Sequence, residues 1–127
     1  MRLIIGGYAQ GKKDYVLSKY HIREDAVWDG AIPEDAAPGG GTVVIDRFHN
    51  WVRNRMLGGG CPEQEIMAFL ERCGDCVIIC DEIGNGIVPT DPFEREYRER
   101  VGRILVRLAE KAEEVERVIC GIGQKIK

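Results

Sequence analysis

The chain has 127 residues, 44% apolar and 31% charged, with a formal charge of −3. That length fits one domain, is large enough for a core and is small for a nucleotide-binding α/β fold. The balanced charge, with no basic stripe, excludes nucleic acid as the expected partner, and no apolar run approaches a membrane span. Five cysteines, an odd number lying partly in apolar runs, read as reduced thiols of a cytoplasmic protein.

In chain order, Leu3 to Ile5 is a short apolar strand stopped by Gly6 and Gly7, and residues 11–20 are predicted as a helix. Residues 29–41 contain two prolines and four glycines and read as a loop. Thr42 to Asp46 is a β-branched run ending in a carboxylate, the pattern of a fully buried strand. Phe48 to Leu57 has helical spacing and is broken by GGGCP, after which Pro62 opens a second helix over 63–73. Cys76 to Cys80 is the third strand. The longest predicted helix runs from about Pro92 to Glu114, with Phe93, Tyr97, Val101, Ile104, Leu105, Leu108, Ala112 and Val115 on one face. Val118 to Cys120 is a fourth strand, and Gln124 to Lys127 a short edge strand. Strands alternating with helices predict a mostly parallel sheet with helices on both faces, in a single domain over 1–127.

In such sheets ligands bind beyond the carboxyl ends of the strands. The first strand delivers GGYAQGKK, that is Gly6, Gly7, Tyr8, Ala9, Gln10, Gly11, Lys12 and Lys13. It fits G-x-x-x-x-G-K except that Lys13 stands where a Ser or Thr hydroxyl normally ligates Mg²⁺. Glycines let backbone amides turn toward phosphate oxygens, and a helix N-terminus adds its positive end. Lys12 is the expected contact to the β and γ phosphates. Asp46 is the expected Mg²⁺ acid, and Glu82, beside Asp81 at the third strand's end, the expected base or metal partner.

Asp81 to Pro89, DEIGNGIVP, resembles the N-E-V-G-x-G-I-V-P signature of the adenosylcobinamide kinase/adenosylcobinamide-phosphate guanylyltransferase family. The resemblance continues through FEREYRERVGR (93–103), including Arg98 and Arg103, and into GIGQKIK (121–127). Upstream, DRFHNWVRN is similar to the family's D-C-L-T-x-W-x-x-N segment, and GGYAQGKK to its G-G-x-x-S-G-K-S loop. The resemblance implies a RecA-like P-loop fold, a homo-oligomer, and cytoplasmic cobalamin biosynthesis. It further implies phosphoryl transfer from ATP or GTP to the aminopropanol hydroxyl of a corrinoid, adenosylcobinamide. In the family, GMP then passes from GTP through a guanylyl-histidine.

The chain departs from that pattern. It is shorter between Tyr20 and Gly41, where relatives carry a strand, a helix and the guanylylated histidine. Arg47 and His49 replace a Cys and a Thr, and Leu105-Val106 an Asn-Gln pair. Of its two histidines, His21 reads as a surface residue, whereas His49, one helical turn past Asp46, could face the phosphates. Trp51 reads as core. Cys73-Gly74-Asp75-Cys76 has zinc-like spacing but no second pair and no nearby His, so packing is the expected role. The leading expectation is a kinase that has lost the guanylyltransferase step. The alternative is a non-catalytic nucleotide-binding or assembly protein of the same descent.

Overall fold

The computed structural model describes residues 1–34, 41–84 and 86–127. Of the expected 29–41 loop, residues 35–40 lie outside these, as does Asn85 of the DEIGNGIVP turn. The described elements are β1 (Arg2–Gly6), α1 (Lys12–Tyr20), β2 (Val27–Asp29), β3 (Val43–Asp46), α2 (Phe48–Leu57), α3 (Pro62–Arg72), β4 (Cys76–Asp81), α4 (Pro92–Lys111), β5 (Glu114–Ile119) and β6 (Ile122–Lys125). The strands form one sheet in the order β2-β3-β4-β1-β5-β6, parallel except for β6, which runs antiparallel to β5. This is the predicted α/β architecture.

Alternation along the strands supplies two cores, because successive side chains point to opposite faces. Ile4, Val44, Val77, Ile79 and Val118 join Val16 of α1 on one face. Leu3, Ile45, Ile78, Cys80 and Val115 join Phe48, Ile66, Phe69, Val101 and Leu108 on the other, under α2, α3 and α4. Trp51 is core, as expected, and stacks on Phe48. Cys76 is buried in β4, and burial raises its thiol pKa.

The helix starts follow from local chemistry. Pro62 and Pro92 occupy first-turn positions whose amides have no helical acceptor. The Asp91 carboxylate accepts from the Phe93 amide at 2.8 Å, capping α4.

Two boundaries differ from expectation. The last helix stops at Lys111, and β5 begins at Glu114, four residues before the predicted strand. Ala112 and Val115, three residues apart, fit a helical period and so extend the predicted helix, but Ala112 has extended backbone (φ −68, ψ 142) and ends it. The edge strand is Ile122–Lys125, ahead of the expected 124–127. β2 was not foreseen: it is three residues long, Trp28 and Asp29 are exposed, and no apolar run marks it. Among the described residues no helix is long and apolar enough to cross a membrane.

The amino end of α3 is tied to α4 by a forked pair, with Arg100 Nε and Nη2 each 2.8 Å from a carboxylate oxygen of Glu63. Arg100 holds the Glu63 carboxyl down to about 2, from an ordinary 4.5. A depressed carboxylate pKa contributes stability above the ordinary value, and that stability is lost as pH falls through the folded one. Denaturation followed between pH 6 and 2 should therefore show a steeper acid loss for the wild type than for Glu63→Gln. At neutral pH that variant should cost about 1 kcal/mol, the scale of a partly exposed forked pair.

Candidate functional site

The glycine loop joins the end of β1 to the start of α1 and is held from three sides. Gly6 is packed so closely that a Cβ there would lie 2.5 Å from the Val118 carbonyl oxygen. Gly11 adopts a left-handed φ of 82° at the N-cap of α1. Gln10 fastens the loop to the β5–β6 turn: its side-chain oxygen accepts from the Cys120 amide and its carbonyl from the Gly121 amide, each at 2.8 Å. Tyr8 stands out in solvent, 86% exposed. The N-terminal end of α1, with its partial positive charge, thus lies at the loop.

Lys12 turns inward and is 7% exposed. Its Nζ donates to the Gly7 carbonyl at 2.6 Å and pairs with Asp81 Oδ1 at 2.6 Å. The parallel register explains the meeting, since Gly6 is the partner of Asp81 across β1 and β4. Asp81 also reaches the buried His49. The Asp81 amide donates to His49 Nδ1 at 3.3 Å, while His49 Nε2 stands 3.5 Å from Asp81 Oδ2. An accepting Nδ1 places the proton of the neutral ring on Nε2. Burial lowers the His49 pKa below 6.5, partly opposed by the Asp81 charge, so the ring is neutral at pH 7. Tyr97 Oη donates to the His49 carbonyl at 2.9 Å and steadies the first turn of α2.

Glu82 lies on the same rim with a different partner. Its amide donates to the Gly6 carbonyl at 2.8 Å, and its carboxylate pairs with Arg117 of β5 at 3.0 Å. The carboxylate against Lys12 is therefore Asp81, one residue before the one selected from sequence. The signal was strand register, which places Asp81 beside Gly6.

Asp46 ends β3, which β4 separates from β1. Arg47 follows it with a left-handed φ of 49° and donates its amide to Asp46 Oδ1 at 2.8 Å. The Arg47 guanidinium grips Asp29. Lys13 Nζ lies 3.0 Å from Glu24 Oε1. These five residues, with Val27, line one cleft of about 440 Å³. Burial raises the Asp46 pKa. The donor set does not fit a divalent cation held at the loop. The expected hydroxyl is an ammonium, Asp29 is taken by a guanidinium, and among the described residues no group of three or more His, Cys, Asp or Glu could hold a metal ion.

The other candidates fall elsewhere. Arg98 Nη1 donates to the Ile87 carbonyl at 2.6 Å, bracing the turn after β4. Arg103 pairs with Glu99 at 3.6 Å on the surface of α4. His21 is the exposed C-cap of α1, at the end of that helix away from the loop.

A mostly parallel sheet with a glycine loop between a central strand and its following helix defines a P-loop α/β protein. Residues 18–126 match the family described as cobinamide kinase/cobinamide phosphate guanyltransferase, CobU. The bifunctional adenosylcobalamin biosynthesis protein CobU of Salmonella typhimurium is 34% identical over 129 aligned positions, covering 84% of this chain and 71% of that protein. Its counterpart in Escherichia coli K12 is 42% identical over 65 residues, 50% of this chain and 36% of that protein. The chain belongs to this family of cobalamin biosynthesis. The family match begins inside α1, so the glycine loop rests on its own sequence and geometry.

The His49 environment gives a direct test. An NMR titration should place its pKa below 6.5, and Asp81→Asn should lower it further, because the variant removes the charge that favours imidazolium. An unchanged or raised value in Asp81→Asn would contradict the contact.

Proposed function

We propose that this chain binds ATP or GTP on Gly6–Lys12 and transfers the terminal phosphoryl group to the hydroxyl of adenosylcobinamide. The supporting observation is the buried Lys12 ammonium, held at the strand ends inside the glycine loop and 2.6 Å from Asp81. A triphosphate would replace Asp81 as the anion facing Lys12. Phosphoryl transfer passes through a loose transition state, so catalysis is mostly positioning and charge stabilisation. Lys12, the loop amides and the α1 N-terminus would carry that work. Asp81 and His49 would position Lys12 between turnovers. Glu82, turned toward Arg117, is the carboxylate proposed to orient the acceptor hydroxyl, and Asp46 bounds the cleft on the other side. The chain would act as a homo-oligomer.

The guanylyltransferase step is proposed to be absent. His21 lies at the wrong end of α1, and both ring nitrogens of His49 face Asp81. An imidazole so engaged has no lone pair directed at a phosphate.

Calorimetry with ATP and GTP tests the nucleotide site. Lys12→Met, which keeps the stem and removes the charge, should weaken binding by about a hundredfold, in line with loss of a buried charge-assisted contact. Equal affinities for wild type and variant would place the nucleotide elsewhere.

A further inference from the structure

The cleft beside the loop carries an inference that rests on the nucleotide reading above and goes beyond it. In a phosphate loop the hydroxyl after the lysine supplies the loop's own ligand to Mg²⁺. Here that position is Lys13, whose side chain lines the same cleft as Asp46. Its ammonium stands 3.0 Å from Glu24, a carboxylate that is 77% exposed. Such an exposed pair is weak and readily exchanged for a stronger anion. Arg47 brings a second cation into the cleft, anchored on Asp29. A divalent ion entering would meet no loop hydroxyl, and of the cleft's three carboxylates Glu24 and Asp29 are already paired with Lys13 and Arg47. A free triphosphate would meet Lys12 on one side and Lys13 on the other.

We propose that the Lys13 ammonium takes the place of the loop-bound divalent cation, so that this loop binds nucleoside triphosphate free of metal. On binding, Lys13 leaves Glu24 for a phosphate oxygen, and the Glu24 carboxylate returns to solvent. Lys12 and Lys13 then flank the phosphates as two fixed charges. Metal ions present in solution would compete for the nucleotide rather than assist its capture.

The test is calorimetric titration of the full chain with ATP and with GTP, in EDTA and in excess Mg²⁺. The wild type should bind as tightly or more tightly in EDTA. Lys13→Ser should lose about tenfold or more of its affinity in EDTA and recover it on adding Mg²⁺, while Lys13→Arg, which keeps the charge, should retain metal-free binding. Wild-type affinity that rises about tenfold with Mg²⁺, or a Lys13→Ser variant equal to wild type in EDTA, would overturn this inference and leave the nucleotide reading standing. Absence of binding by the wild type in both conditions would overturn the nucleotide reading and this inference with it.

Discussion

The pair between buried Lys12 and half-buried Asp81 is the contact on which the rest of the rim depends. An ammonium that is 7% exposed needs an anion, and Asp81 Oδ1 at 2.6 Å provides it. Breaking a buried pair by removing one partner costs several times more than losing a surface bridge, because the remaining charge is left uncompensated. The pair therefore requires that β1 and β4 end together. That alignment follows from the pairing of Leu3 with Ile78 and Ile4 with Ile79, whose side chains feed the two opposite cores. A one-residue slip would turn both sets to the wrong face. Packing in the middle of the sheet thus fixes the charge arrangement at its edge.

The second support comes from the carboxyl-terminal segment. β6 turns back on β5, and the turn between them presents the Cys120 and Gly121 amides to Gln10. Gly123 has no side chain because the Tyr15 hydroxyl occupies that space; a Cβ there would lie 2.2 Å from it. Tyr15 in turn donates to the buried Glu116 at 2.8 Å, and Lys19 completes the pairing at 2.9 Å. GIGQKIK is therefore a brace for the loop and for α1, which explains why the family resemblance is dense in a segment so far along the chain from the glycines.

The sheet and its helices were legible because periods of two and of 3.6 are strong where apolar runs are long. The strand ends at Gly6 and Asp46 and the helix start near Pro92 could all be read directly. What escaped depended on pairing between distant segments. β2 has only three residues and an exposed pattern, so nothing local marks it. Asp81 and Glu82 are adjacent and chemically equivalent in sequence, and only register assigns one to Lys12 and the other to Arg117. The direction of Lys13 was equally hidden, since its partner Glu24 lies beyond the end of α1. His49 was marked by its distance from Asp46, but its buried, neutral state follows from the packing around Asp81 and Tyr97.

Family membership is shown, and the rim geometry supports the proposed reading of it, a corrinoid kinase without a guanylyl carrier. The most direct measurement incubates the purified chain with adenosylcobinamide and GTP labelled either at the γ or at the α phosphate, then follows label in the corrinoid and in the protein. The account predicts γ-label transferred to adenosylcobinamide and no α-label retained on the protein. A protein that takes up α-label on histidine, or a corrinoid that stays unphosphorylated with both ATP and GTP, would contradict it.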